Sequence, residues 1–135
     1  MFPASENTAA HVIFNFAAST GLVELQNKQP MLGRVKANEF AYFVYEETCD
    51  NCTMVVAVSA TATDAVELYV NVGTKKPILS DFHFMKVLSS THMTSISPLT
   101  TPYFKLNNIS SMRGNYVFGV YGLRDTSFQI SVDSE

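Results

Sequence analysis

The sequence of 135 residues has no tryptophan, only two cysteines and few charged side chains, which make up 16% of the chain. An average soluble domain carries roughly 25% charged residues. The chain has nine Lys and Arg and twelve Asp and Glu, so its net charge is −3 and no basic excess is present to neutralise a phosphate backbone. No apolar run approaches the roughly 18 residues of a membrane span. We therefore expect no nucleic-acid partner and no membrane insertion by this chain.

The amino terminus also lacks the pattern of a secretory signal, because no positively charged segment and apolar run follow Met1. If the protein is secreted, we expect its signal to lie upstream of this sequence. Hydrophobic residues make up 47% of the chain, which excludes a disordered tail. The length suits one domain with a sizeable core.

Short strand patterns separated by turn residues recur along the chain. The clearest is 66–72, where Val66, Leu68 and Val70 share one face and Glu67 and Tyr69 the other. The run 53–60 is nearly continuous in apolar residues, which predicts a strand buried on both faces. The one helical candidate is 20–27. Many short strands and frequent turns predict an all-β antiparallel sandwich or barrel, with strands at 11–16, 40–45, 53–60, 66–72, 82–88, 115–121 and 127–132.

The most conspicuous local motif is Cys49-Asp50-Asn51-Cys52. A zinc site would need further ligands, and no second cysteine pair exists. A thioredoxin-like redox site would need a helix after the first thiol, whereas a strand is predicted there. We therefore expect a small disulfide, or two free thiols, in a turn between strands. If formed, the bond indicates an oxidising compartment.

Two tripeptides match the acceptor pattern for N-glycosylation: Asn108-Ile109-Ser110 and Asn51-Cys52-Thr53. Both lie near predicted turns, where a glycan fits. The cysteine in the middle of the second makes Asn51 a poor acceptor. The two candidates support an extracellular location.

No pattern predicts a catalytic site. His11, His83 and His92 are widely separated, and no nucleophile elbow or phosphate-binding loop occurs. We expect that the protein is not an enzyme and carries no cofactor.

Acidic residues leave one metal option open. Asp64 and Glu67 flank the start of the strand 66–72, and with Asp50 and Asp81 they offer the oxygen ligands that Ca²⁺ prefers. The alternative interpretation is that these are ordinary solvated acids.

Ten Phe and six Tyr are mainly expected in the core. Tyr69 is the candidate for a ligand surface, because it faces away from the apolar side of its strand. Tyr103 and Tyr121 are further possible members of such an aromatic surface. The alternative is that Tyr69 is buried in a sandwich covered on both sides.

Several motifs follow one another in a recognisable order along the chain. An early Leu32-Gly33 precedes an aromatic strand, and an acidic-x-x-acidic-Leu-Tyr-Val strand begins at Asp64. A late Gly-x-Tyr-x-x-x-Val-x-Gly strand runs over 114–122, and Ser-Phe-x-Ile-x-Val closes the domain over 127–132. This order resembles the bacterial pre-peptidase C-terminal domain and its relatives in protist surface proteins, and the resemblance covers roughly residues 30–132.

The resemblance implies a jelly-roll-type antiparallel β-sandwich, whose members are non-catalytic modules of secreted peptidases and large surface proteins. Some relatives bind collagen, polysaccharide or Ca²⁺. Asp64 and Glu67 occupy the two acidic positions, although Glu67 replaces the usual second Asp. Gly119 and Gly122 are expected where a side chain would clash. Residues 1–29 do not match, which predicts an N-terminal extension or added strand before a sandwich over 30–135.

We therefore expect an extracellular or cell-surface module for binding, adhesion or structural assembly, contacting carbohydrate or another protein. Neighbouring domains of a larger protein are expected beside it. Two alternatives are kept: an accessory targeting or secretion domain of a secreted hydrolase, and a self-assembling fibre or coat subunit whose N-terminal segment supplies a strand to a neighbour.

Overall fold

The computed structural model describes residues 22–62, 65–87 and 91–135. Within them the chain forms strands and one short helix, in the order β1 (Leu22–Glu24), β2 (Met31–Val35), β3 (Phe40–Glu47), β4 (Met54–Ala60), β5 (Val66–Val72), β6 (Phe84–Val87), β7 (Thr91–Ile96), α1 (Pro102–Leu106), β8 (Gly114–Gly122) and β9 (Thr126–Ser134). The strands form a five-stranded sheet, β1-β3-β8-β5-β6, and a four-stranded sheet, β2-β9-β4-β7. Every neighbouring pair is antiparallel except β1 and β3.

The strand order is that of a jelly roll. When β2 is counted as the first of eight strands, one sheet has the order 1-8-3-6 and the other 2-7-4-5, with β1 added at an edge. This arrangement interleaves two Greek keys, and it confirms the predicted all-β sandwich.

The hydrophobic core lies between the sheets and follows the two-residue period of the strands. On β5 the side chains of Val66, Leu68 and Val70 are at most 1% exposed, as their alternation predicts. Alternate residues of the other long strands meet them, including Phe43 and Tyr45 of β3, Met54, Val56 and Val58 of β4, Tyr116, Phe118 and Val120 of β8, and Phe128, Ile130 and Val132 of β9.

The prediction that residues 53–60 are buried on both faces is wrong. The inward residues of β4 are buried, but Val55 and Ala57 are only half-buried and Ser59 is exposed. The outward residues of β4 are small and lie on a sheet that no other layer covers in the described part of the chain. Here a run of apolar residues corresponds to a strand that is fully buried on one face only.

The local predictions also missed three strands and the helix. The helical candidate 20–27 instead contains β1, which pairs with β3. β2 gave no strand signal because it holds Gly33 and Arg34. Gly33 leaves room for the Phe128 ring of the paired strand β9, because a Cβ would stand 2.6 Å from its Cζ.

The predicted strand 11–16 lies outside the described residues, so the proposed domain boundary at residue 30 stays a prediction. Residues 22–24 do add an edge strand to the five-stranded sheet. In the described part of the chain, no helix is long and apolar enough to span a membrane.

Candidate functional site

The outer face of the five-stranded sheet carries a cluster of rings, which we call the aromatic face: Phe40, Tyr42, Tyr69, Phe82 and Tyr121. Strand register explains most of the cluster. Phe40 of β3 lies opposite Tyr121 of β8, and Tyr42 of β3 and Tyr69 of β5 lie on either side of Gly119 on β8. The outward positions of three neighbouring strands therefore bring four rings together.

Phe40 is at the centre of the aromatic face. Its ring stacks on Tyr42 with a centroid distance of 5.1 Å and contacts Tyr121 at 5.0 Å. It meets Tyr69 edge to face at 5.4 Å, and Tyr69 meets Phe82 in the same way at 5.0 Å. These distances and tilts are those at which aromatic pairs attract beyond simple burial.

Gly119 makes room for this arrangement. A Cβ at this position would lie 2.9 Å from the Phe40 ring and 3.1 Å from Cγ of Pro77. The resemblance implied a close approach at Gly119, and the structure shows what approaches: the central ring and the loop above it. At Gly122 a Cβ would meet the carbonyl oxygen of Lys36 at 2.4 Å, so this glycine also permits close packing.

The loop between β5 and β6 folds over the aromatic face. The Tyr42 hydroxyl donates to the carbonyl of Pro77 at 2.7 Å. Asn71, which is 2% exposed, donates to the Lys75 carbonyl at 3.0 Å and accepts from the His83 backbone N–H at 2.8 Å. The loop is therefore fastened to the sheet at its start and at its end.

His83 is part of this fastening. Its Nδ1 accepts a hydrogen bond from the Val72 N–H at 2.9 Å, and its ring stacks on Tyr103 at 4.4 Å. Burial lowers the pKa of His83, with Asp81 opposing the shift. Because the acceptor role needs an unprotonated Nδ1, both observations indicate a neutral imidazole.

Tyr69 does not present its ring to solvent. The residue is 5% exposed, and its hydroxyl donates to Oε1 of Glu67 at 2.8 Å. Burial, together with the Glu67 carboxylate, raises the pKa of Tyr69 to about 12. Tyr69 thus faces away from the main core, as its strand position predicts, but other rings and the loop cover it. Its ring packs against Phe40 and Phe82 and helps to hold these more exposed rings in place.

The exposed part of this region is the tip of the loop. Ile78 and Asp81 exchange backbone hydrogen bonds of 2.9 and 3.1 Å, which fold the tip into a tight turn. Ile78 is 45% exposed, Leu79 52% and Phe82 36%. We call these three residues the loop ridge. No sequence pattern pointed to it, because its residues share no strand or helix period.

Charged groups border the loop ridge. Lys75 forms an ion pair with Asp81, and this contact lowers the pKa of Asp81. The ammonium group of Lys76 lies 5.2 Å from the ring centroid of Tyr42, a cation–π distance. The apolar tip therefore lies beside two lysines, of which Lys75 is ion-paired with Asp81 and Lys76 contacts the Tyr42 ring.

Of the four acids of the calcium hypothesis, Asp64 lies outside the described residues, and the structure does not bring the other three together. Glu67 accepts a hydrogen bond from the Tyr69 hydroxyl, and Asp50 accepts one from Nε of Arg113 at 3.0 Å. That bond lowers the pKa of Asp50. Among the residues described, no group of three or more His, Cys, Asp or Glu is placed to hold a metal ion.

Cys49 and Cys52 form a disulfide bond, with their Cα atoms 5.7 Å apart. β4 begins at Met54, so no helix follows the first cysteine. The neighbouring Glu47 is only 3% exposed, and its carboxylate accepts from the Cys49 N–H at 3.2 Å and from the Ser134 hydroxyl. The disulfide turn is thereby joined to the end of β9.

Both glycosylation candidates are exposed. Asn51 lies inside the disulfide turn, and Asn108 follows α1 with a φ of 57°. Asparagine tolerates this left-handed conformation better than most residues. Neither position bears on the aromatic face in the contacts described.

No family model and no curated protein matches this sequence. Its fold is also that of a solved structure. The pre-peptidase C-terminal domain of a collagenase from Bacillus anthracis superposes with a TM-score of 0.57 at 8% identity, covering 83% of this chain and 94% of that one. PliG, a periplasmic inhibitor of g-type lysozyme from Aeromonas hydrophila, gives 0.49 at 11% identity, covering 83% and 96%. The fold expected from the sequence resemblance is therefore confirmed.

Proposed function

We propose that this chain is a non-catalytic extracellular module of a larger secreted or surface protein, and that it binds a protein partner through the loop ridge. The observation that carries the proposal is the exposure of Ile78, Leu79 and Phe82 together on one tightly folded loop. Apolar side chains held rigidly in water are typical of interaction sites, because ordering them on binding costs little entropy.

The same geometry favours a protein over a carbohydrate. A sugar-binding platform needs rings with an open face, whereas Tyr69 is buried and Phe40 is only partly exposed between the rings of Tyr42 and Tyr121. The most exposed residues of the loop ridge are aliphatic, and aliphatic side chains match apolar pockets of proteins. Carbohydrate binding is the alternative, and the experiment below distinguishes it from protein binding.

Two further observations support a non-catalytic role outside the cell. His83 and Glu67 are of residue types that hydrolytic sites use, but both are engaged in hydrogen bonds that hold the loop and the aromatic face together. The Cys49–Cys52 disulfide suits an oxidising compartment. An accessory role beside a secreted hydrolase fits the same surface, and the domains encoded next to this one would distinguish it from a surface protein.

The experiment compares binding of the fluorescently labelled chain to intact cells and extracellular matrix of its source. We expect Ile78→Ser/Leu79→Ser to weaken binding at least about tenfold, which corresponds to roughly 1.4 kcal/mol. The matched control is Leu99→Ser/Leu106→Ser, since both leucines are 82% exposed elsewhere on the surface. Circular dichroism confirms that each variant is folded.

Treatment of the cells and matrix before binding identifies the partner's class. Protease treatment should abolish the signal, and periodate oxidation of sugars should leave it intact. Equal binding by the loop-ridge variant and the wild type would contradict the proposed site, and loss of signal only after periodate would show a carbohydrate ligand.

A further inference from the structure

The acceptor tripeptide Asn108-Ile109-Ser110 lies in the loop between α1 and β8. Its middle residue is anchored, because Ile109 packs against the hydrophobic core and its N–H donates to the carbonyl of Phe104 at 2.8 Å. Asn108 and Ser110, on either side of it, are exposed. The loop therefore presents to solvent the two side chains that define an N-glycosylation acceptor, the asparagine and the hydroxyl two residues later.

Both of these polar side chains are also unoccupied within the part of the chain that the structure describes. The end of α1 is capped by the preceding residue, since Nδ2 of Asn107 donates to the carbonyl of Tyr103 at 2.8 Å. The side-chain amide of Asn108 and the hydroxyl of Ser110 make no hydrogen bond with another described residue. The nitrogen to which a sugar would be attached is therefore not needed to hold the loop.

The second acceptor tripeptide, 51–53, is constrained by its surroundings. The disulfide holds the Cα atoms of Cys49 and Cys52 5.7 Å apart, whereas three extended residue steps span about 10 Å. Thr53 exchanges backbone hydrogen bonds of 2.9 and 3.1 Å with Glu135. A transferase that has to bind the asparagine together with the hydroxyl therefore meets a closed ring here, in contrast to the open loop of the first tripeptide.

We infer that the chain carries an N-linked oligosaccharide on Asn108 and none on Asn51. The inference rests on the extracellular location in the proposed function, since the sugar is added on a secretory route. In the transfer, Nδ2 of Asn108 attacks C1 of the first sugar of a lipid-linked oligosaccharide, and a C–N bond forms. The bond from C1 to the lipid pyrophosphate breaks, the lipid pyrophosphate leaves, and one amide proton passes to the transferase.

The neighbourhood of the two tripeptides favours one glycan over two. Asn51 and Ser110 line the same shallow surface cavity, so the tripeptides lie side by side in the fold. An oligosaccharide on Asn108 would hinder a later transfer to Asn51. The Cys49–Cys52 bond, which closes the ring around Asn51, itself suits the oxidising compartment in which such a transfer takes place.

The test is mass spectrometry of the protein isolated from its source. Digestion with a peptide N-glycosidase in heavy-oxygen water converts each glycosylated asparagine to a labelled aspartate. We expect the label on Asn108 in most molecules and on Asn51 in none.

Variants secreted from cultured eukaryotic cells behind a signal peptide identify the acceptor. Asn108→Gln and Ser110→Ala should each lose the whole mass of the oligosaccharide, because each removes one half of the acceptor pattern. The matched controls are Asn51→Gln and Ser110→Thr, which should keep it. Circular dichroism confirms that all four variants are folded.

An unmodified Asn108 in the native protein overturns the inference, and so does a labelled Asn51. Secretion from eukaryotic cells then shows which part failed. Modification there means that Asn108 is a competent acceptor which the natural route of the chain excludes, and no modification means that Asn108 is not an acceptor. Ile78→Ser/Leu79→Ser should carry the same glycan as the wild type, so failure of the loop ridge as a binding site is recognised separately.

Discussion

In both sheets, alternate side chains of each strand point away from the core, but the two outer faces that they form are different. On the five-stranded sheet, rings from three strands cluster around Phe40 and are covered by the β5–β6 loop. On the four-stranded sheet, the outward residues of β9 are Ser127, Gln129, Ser131 and Asp133, and no described loop covers them. One face carries a partly buried aromatic cluster under a loop, and the other remains in solvent.

The two outer faces therefore differ in how much they add to stability beyond the central core. A sandwich needs only its inner faces to be apolar. Burying rings on an outer face adds stability that the fold does not require, and here it holds one loop rigidly with its apolar tip exposed. We therefore expect substitutions on the aromatic face to be costly, and equivalent substitutions on the open face to have little effect.

The largest effect is expected for Tyr69→Ala. Removal of a buried ring that contacts Phe40 and Phe82 should lower the free energy of unfolding by about 3–5 kcal/mol. Gln129→Ala is the matched control, because Gln129 points outward from a central strand of the other sheet, and it should change stability by less than about 0.5 kcal/mol. Urea denaturation measures both. Similar losses for the two variants would contradict the distinction between the faces.

A smaller loss is expected for Gly119→Ala. The added methyl group would press on the Phe40 ring and on Pro77, and such overpacking costs about 1–3 kcal/mol. In the background of Phe40→Ala the methyl group has space, so the loss from the second substitution should shrink. Strict additivity of the two losses in urea denaturation would show that Phe40 is not what Gly119 accommodates.

The smallest effect is a pH dependence from His83. Burial lowers its pKa below the ordinary value of 6.5, so the unfolded chain takes up a proton more readily than the folded one. Its stabilising contribution is therefore complete above about pH 6.5 and is lost as the pH falls through the lowered pKa. Unfolding measured across this range should show stability declining toward acid.

His83→Asn is the control for this decline. The Asn side-chain oxygen offers an acceptor to the Val72 N–H without titrating, so the variant should lose this part of the slope. The pKa values of Asp50 and Asp81 are lowered from 3.8, and these carboxyls therefore titrate below the range concerned. An unchanged slope in the variant would assign the effect to another group.

Much of the fold could be predicted from local patterns. The run 66–72 alternates because one face of β5 lies on the core, and its bounds match the strand. The missed strands β1, β2 and β7 are all edge strands, which pair on one side and bury fewer side chains, so their sequences carry a weaker period. The edge strand β6 was predicted, within the run 82–88.

The candidate site was less predictable. Tyr69 was singled out correctly as facing away from the main core, yet whether that position is exposed depends on a loop that folds back from later in the chain. The loop ridge had no signal at all, since its exposure follows from a tight turn at Ile78 and Asp81 and from the fastening of Asn71.

The sequence by itself determined the all-β class, the turns and which face of each central strand is apolar, because these depend on the two-residue period of side chains along an extended backbone. Only the tertiary structure decided what lies on the outer faces. Contacts such as Tyr42 with Pro77 join residues 35 positions apart, and no local pattern encodes which segment covers which sheet. Burial of Tyr69 within the aromatic face and exposure of the loop ridge are therefore properties of the folded chain.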